Sequence, residues 1–286
     1  MHADTKLVRE AFVAAGEKHF ALARLLYRQL FGSNWGHAVL AFAYMKQLDD
    51  LVDEDPDAER ALATIARHRQ FMDDVYRHRE GATNLPAPQR FGYPFFCFDR
   101  ARGAPLRPLF ECILASMAHD THRRGVFLSA AALDAHVVDL GGHVIRFVLH
   151  FAAPKVALPH AFVEIASRAY LNADNLIDLE HDLSCGVINI PIEDFESGRM
   201  RLCASDAAVR RWAKSRALFV LDDFRTAIKQ ALRLERWALR LLAAIYLSNK
   251  RRHLRRFLRR EELRFEAMHA SRSAGAEVAW RSSAQG

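Results

Sequence analysis

Aspartate recurs at every fourth position in two separate segments of this 286-residue chain. In the first, YMKQLDDLVDE, Asp49 and Asp53 form one pair, and Asp50 and Glu54 form another one residue on. In the second, NADNLIDLEHD, the repeat is Asp174, Asp178 and Asp182. Residues four apart stack on one face of an α-helix, so each segment presents a ladder of like charges that destabilises an isolated helix. A cation held between the ladders removes that penalty. Hard oxygen donors at this density suit Mg²⁺, which takes one or two protein carboxylates and completes its shell with phosphate oxygens and water. Two facing ladders would therefore hold Mg²⁺ against a bound diphosphate. The candidate ligands are Asp49, Asp50, Asp53, Asp174, Asp178 and Asp182.

A lone Asp-x-x-x-Asp on a soluble helix is ordinarily a solvated face. The neighbours argue otherwise in both places. Asp49 follows AVLAFAYM and precedes Leu51 and Val52, while the second ladder sits among Leu171, Leu176, Ile177 and Leu179. An acidic ladder on an otherwise apolar helix points inward, and a buried carboxylate needs a cation or a proton.

The elements that must position these ladders read as helices. Half of the chain is hydrophobic (51%), glycine (13) and proline (9) are scarce, and apolar residues recur at helical spacing, as in VREAFVAAGEKHFALARLLYRQLF. The periodicity predicts helices over 4–30, 36–54, 57–79, 104–120, 129–151, 159–183, 207–230, 232–248 and 250–269. Asp55-Pro56-Asp57 should end the first acidic helix and begin the next. The proline-rich stretch from Gly81 to Pro108 reads as an elaborated loop within one domain, because each side of it carries one ladder and neither side alone completes the site. The expectation is a single all-α domain over 1–265 with a central cavity, and a disordered tail over 266–286.

Composition narrows the setting. The four cysteines (Cys97, Cys112, Cys185, Cys203) show no paired spacing, which fits free thiols in a reducing cytosol. The polar start MHADTKLVRE is not a signal peptide, and no apolar run approaches the roughly 20 residues that a transmembrane helix requires. The net charge of +7 concentrates in NKRRHLRRFLRREELRF. That segment reads first as a solvated last helix and second as a peripheral membrane contact. Nucleic acid ranks last, since no recognised binding motif accompanies the charge.

With both ladders in view, the chain resembles the squalene/phytoene synthase family, the head-to-head branch of the all-α isoprenyl synthases. That family carries an aromatic, a small residue and Arg-x-x-Asp-Asp-x-x-Asp-Glu in its first acidic helix. Here Tyr44-Met45-Lys46-Gln47-Leu48-Asp49-Asp50-Leu51-Val52-Asp53-Glu54 stands in that register. The second family motif, Gln-x-x-Asn-x-x-x-Arg-Asp-x-x-Glu-Asp followed by Gly-Arg, an aromatic and Leu-Pro, aligns with Leu171, Asp174, Ile177, Asp178, His181, Asp182 and then GVINIP, ending at Pro191. Weaker matches extend the likeness over roughly residues 10 to 258. Glu17-Lys18-His19-Phe20 stands where the family has Ser-x-Ser-Phe, LDAHVVDLGGHV where it has a helix with Tyr and Ala-Gly, and WALRLLAAIYLSNKRR where a late helix carries a Tyr.

The resemblance implies Mg²⁺ bridging facing aspartates to the diphosphate of a prenyl substrate, whose ionisation leaves an allylic carbocation in an apolar cavity. Asp49, Asp53, Asp178 and Asp182 then become the principal catalytic and metal-binding residues, with Asp50 and Asp174 next. Lys18, His19, Phe20, Tyr44, Lys46 and Tyr246 become the substrate-binding candidates. The departures are equally informative. Ile177 and Val187 stand where the family has arginines, His181 replaces an acidic residue, and Leu171 and Asp174 replace Gln and Asn. Arginine is the preferred bidentate partner of phosphate, so part of the diphosphate shell is altered while the metal ladder is kept. The acceptor is expected to be another prenyl diphosphate, with a non-isoprenoid acceptor as the alternative; chain length and oligomeric state stay open.

Two rivals compete. An all-helical metal phosphohydrolase of HD type could use the dipeptides His119-Asp120 and His181-Asp182, whose mixed donors favour a transition metal. A family-like fold kept as a non-catalytic assembly factor would explain the missing arginines but would leave six carboxylates unopposed. A di-iron bundle requires Glu-x-x-His pairs on two helices, and the sequence offers just one, Glu266 to His269.

Overall fold

The computed structural model describes residues 4–14, 27–77, 85–195 and 203–283, the last segment with side chains to residue 261. Lys18, His19 and Phe20 lie outside the described residues. Every regular element among the described residues is helical. A first helix α1 (Thr5–Ala14) is followed by a helical turn over 27–31 and a 3₁₀ turn at Gly32–Asn34. Then come α2 (Trp35–Asp53) and α3 (Ala58–Tyr76), α4 (Gln89–Arg100), α5 (Arg107–His122), α6 (Ala130–His150) and α7 (His160–Ile177). Two short helices, α8 (Leu179–Ser184) and α9 (Ile192–Phe195), lead to α10 (Ala207–Ala231) and the long α11 (Trp237–Ser283).

Caps account for several starts. Asp57 accepts from the backbone N–H groups of Glu59 (2.9 Å) and Arg60 (3.2 Å), so the cap, rather than Pro56, starts α3. Ser129 and Asp206 do the same for α6 and α10.

Two connected hydrophobic clusters build the core. One gathers α2, α3, α4 and α5 with Phe147 and Phe151 of α6. The other gathers the opposite side of α6 with α7, α10 and α11. Phe31 and Val148 pack against both. The first ladder thus belongs to a helix of one cluster and the second to a helix of the other. The cavity described below lies along their seam.

Three expectations are corrected. The stretch expected as a loop over 81–108 contains α4, with Pro94 inside it. An interior proline costs about 3 kcal/mol of helix propensity. It is offset by burial of Phe91, Phe95, Phe96 and Phe98 in an aromatic cluster, where Phe95, Phe96 and Phe110 stand 5.2–5.4 Å apart. The helices expected at 232–248 and 250–269 are one continuous α11. The second ladder is not on one unbroken helix. α7 ends at Ile177 and Asp178 sits at the kink, with φ −96° and ψ 8°. Its amide still bonds to the Asp174 carbonyl (2.9 Å) and that of Asp182 to the Asp178 carbonyl (2.8 Å), so the four-residue spacing survives the bend.

The basic stretch buries Leu254 and Leu258, and Glu261 is only 9% exposed, while Arg252, Arg255, Arg256, Arg259 and Arg260 face water. Its apolar side is spent on the core. Among the described residues no helix is long and apolar enough to cross a membrane. The four cysteines are free thiols.

Helices α6 and α7 cross closely at Gly141, where an added Cβ would lie 2.8 Å from Ser167 Cβ and 3.0 Å from its Cα. At Gly142 the only tight neighbour, at 2.9 Å, is the mobile guanidinium end of Arg146. Gly141→Ala should therefore lower stability by about 1–3 kcal/mol through overpacking. Gly142→Ala should be neutral or stabilising by up to about 1 kcal/mol, because alanine is the better helix former. Thermal or urea melts of the two variants check the contrast; equal losses at both positions would contradict it.

Candidate functional site

Both ladders open onto one mouth. Burial combined with the charge of Asp53 and Asp50 pushes the Asp49 carboxyl up to about 8, with a smaller contribution from Asp120 and an opposing one from Lys46. Asp53 is raised by burial and by Asp120, against Arg124 and His181. Asp178 is raised by burial, and Asp182 is pushed up to about 7 by burial and by the charges of Asp178 and Asp53. Carboxylates of one ladder thus feel those of the other. Asp49, Asp53 and Asp178 nevertheless keep solvent contact in the cleft, so water screens part of this repulsion. These four carboxylates are spread across the mouth, since among the described residues the three-donor group within 4.8 Å is His119, Asp120 and His136; a hard divalent cation shared between the ladders would need phosphate or water oxygens to complete its shell.

The remaining two ladder aspartates are engaged elsewhere. Asp50 takes the Lys46 ammonium at 2.9 Å on its own helix. Asp174 is ion-paired with Lys250, which α11 brings in from 76 positions along the chain. Burial pushes the Lys250 ammonium down to about 8. These pairings separate the four open carboxylates from the two neutralised ones.

Tyr44 and Tyr246 part company. Tyr44 is fully buried and its phenol bonds to His68 Nδ1 at 3.1 Å, in a space that Gly92 leaves free by lacking a Cβ. Burial pushes His68 down to about 4, so the ring is neutral in this contact. Tyr44 is a core residue and does not line the cavity. Tyr246 does line it, stacked on Tyr170 with ring centroids 4.6 Å apart and planes 9° from parallel. The Lys250 ammonium lies 5.0 Å from the Tyr170 ring centre. Tyr170 also lies within reach of the Asp49 and Asp178 charges, so the tyrosine pair stands between the acidic mouth and the cavity. The cavity measures about 600 Å³, in the range of small-molecule sites. Its walls are largely apolar, with Phe12, Phe31, Val39, Phe147 and Leu242 among them.

Sequence reasoning missed Asp120 as a neighbour of the ladders, and it missed Arg123, Arg124, Asn189, Tyr170 and Lys250. A contact between two glycine turns explains the first four. Gly125 and Gly186 both take positive φ (75° and 80°), and the Gly125 amide donates to the Gly186 carbonyl at 2.7 Å. This joins the end of α5 to the end of α8. Arg123, 6% exposed, then donates from Nε to Asp120 at 2.6 Å, and from its terminal nitrogens to the Ile188 carbonyl (2.9 Å) and Asn189 Oδ1 (2.7 Å). Asn189 in turn donates to Asp182 at 2.9 Å. Arg124 caps the carbonyls of Val52 and Asp55 at the end of α2, beside Asp53. Two guanidinium groups thus flank the mouth although Ile177 and Val187 stand at the expected arginine positions. The signal was Arg123-Arg124-Gly125 directly after a helix.

No protein-family model and no curated protein matches the sequence. Among solved structures the chain is similar to squalene synthase HpnC from Alicyclobacillus acidocaldarius, at 18% identity and a TM-score of 0.59, over 91% of this chain and 97% of that one. The molecule shares the all-α fold of that squalene synthase.

The raised Asp49 has a stability consequence of defined sign. Its folded value, about 8, lies above the ordinary 3.8, so the folded state disfavours the charged carboxylate. The penalty is fully present above about pH 8 and fades as pH falls toward 3.8. Without divalent ions, Asp49→Asn should be more stable than the parent at pH 9, and the gain should shrink steadily on acidification. Urea melts at several pH values check this; a gain that is absent, or that grows toward low pH, would contradict it.

Proposed function

We propose that the chain is a Mg²⁺-dependent prenyltransferase that ionises an allylic prenyl diphosphate and couples the prenyl group to a second molecule, another prenyl diphosphate joined head to head. The observation that carries this reading is the pairing of two facing carboxylate ladders with an apolar cavity, on the fold of a squalene synthase.

On this reading Asp49 and Asp53 from one helix, with Asp178 and Asp182 from the kinked pair, would hold Mg²⁺ beside the substrate diphosphate. Bound Mg²⁺ supplies Lewis-acid neutralisation of the departing diphosphate. The protein residues do the rest. Lys46 and Arg124 add positive charge at the mouth, and Asn189 orients the Asp182 carboxylate toward it. The apolar walls keep water from the allylic cation, while the stacked faces of Tyr170 and Tyr246 offer it a negative π surface. Asp50 and Asp174 act through their lysines, setting the charge balance around the four open carboxylates.

Asp53→Asn and Asp178→Asn should each abolish Mg²⁺-dependent diphosphate release from allylic prenyl diphosphates while leaving the helical fold intact. Each relieves a buried, repelling charge and gives up only the attraction of neighbouring cations, Arg124 and His181 for Asp53, His181 and Lys46 for Asp178. Release assays with circular dichroism decide it. Near-parental turnover in either variant would sink the two-ladder site.

The altered basic shell bears on the product. Head-to-head synthesis must retain a diphosphate through coupling and then promote its loss from a cyclopropyl intermediate. With Ile177 and Val187 at two arginine positions, and Lys250 bound to Asp174, the second departure should be impaired. The expected products of farnesyl or geranylgeranyl diphosphate are a cyclopropyl diphosphate, a prenyl alcohol or a prenylated non-isoprenoid acceptor. Mass spectrometry showing clean conversion to squalene or phytoene at ordinary enzymatic rates would overturn this.

A further inference from the structure

We infer that His119, Asp120 and His136 form a second metal site, for a divalent ion of the zinc class, on the rim of the acidic mouth and distinct from the oxygen-only ladders. One donor atom from each of the three lies within 4.8 Å of the others. The imidazole centroids are 4.9 Å apart, and His136 Nε2 is 3.0 Å from Asp120 Oδ1. Metal–ligand bonds of about 2.1 Å place donor atoms roughly 3 to 4 Å apart, so small side-chain rotations close the triad on an ion.

The donors choose the metal. Two imidazoles and one carboxylate favour Zn²⁺, Co²⁺ or Fe²⁺ over Mg²⁺, whereas the ladders offer oxygen alone. The scaffold is rigid, because His119 and Asp120 lie on α5, His136 lies on α6, and the two helices pack along each other. His119 is exposed, so an ion held by three protein ligands keeps positions open to water. A supporting shell is present as well. Arg123 grips Asp120 from behind, and its remaining contacts run through Asn189 to Asp182. Such outer hydrogen bonds fix the orientation of metal ligands. The His136–Asp120 contact alone would form an ordinary ion pair; the second imidazole beside the same carboxylate gives the cluster its three-donor character. Asp120 also acts on Asp49 and Asp53, so an ion here would add positive charge directly beside the first ladder.

The test uses the metal-stripped full chain, without Mg²⁺ or diphosphate, titrated with Co²⁺ and followed by its ligand-field absorption. The expected result is one bound Co²⁺ per chain, displaced by Zn²⁺ but not by excess Mg²⁺. Binding should weaken at least ~10-fold in His119→Ala and in His136→Ala and stay unchanged in Asp178→Asn. His119 is exposed, so its replacement decides the matter even where His136→Ala fails to fold. Absence of Co²⁺ binding, undiminished binding in His119→Ala, displacement by Mg²⁺, or loss in Asp178→Asn instead would overturn the site. Prenyl turnover is not part of the readout, so failure of the synthase reading and failure of this one remain distinguishable.

Discussion

Repulsion among carboxylates held on facing helices is the constraint around which the rest of this molecule is arranged. Each ladder costs free energy as a helix and costs more when brought toward its counterpart. The fold imposes that cost by rooting the helices in two different cores. The side of α2 opposite its ladder carries Leu40, Ala43, Tyr44 and Leu48 into one cluster, while Ala166, Ala169, Ala173 and Leu176 fasten α7 into the other. Apolar burial of this extent, at about 25 cal/mol per Å², outweighs a few poorly solvated charges.

The positive groups are distributed so that they do not cancel the mouth. Lys46 and Lys250 neutralise Asp50 and Asp174 on its flanks. Arg123 is committed to Asp120, Ile188 and Asn189, and Arg124 to the carbonyl end of α2. What remains is a partly compensated acidic ring over a largely apolar chamber. The guanidinium groups come from the end of α5 instead of the second acidic motif, and both are bound to protein acceptors.

How much of this was legible in the sequence follows from the range over which each feature is determined. Ladder spacing and helical periodicity are local, and both survived into the structure. Helix α4 was hidden because five prolines between Gly81 and Pro108 dominate any local reading, whereas the aromatic cluster that overrides them is assembled from distant residues. Tyr44 looked like a cavity residue from its place in the motif, yet its partner His68 lies 24 positions away on the next helix and holds it in the core. The arrival of Arg123 and Arg124 goes with the Gly125–Gly186 contact, which joins turns 61 positions apart and leaves only two glycines as its trace. Lys250 could not be paired with Asp174 by any spacing argument.

Helix α11 carries a mechanical consequence. At 1.5 Å per residue its 47 residues span about 70 Å, and long helices curve gently unless a specific residue breaks them. Its opening turns supply Leu242, Ile245, Tyr246 and Lys250 to the chamber wall, and the same rod carries its arginines out to the surface. The inner end is clamped by the core down to Leu258. Wall and surface arginines thus share one continuous backbone anchored at Leu254 and Leu258, so a substitution that loosens that anchor disturbs the chamber wall as well as the outer surface.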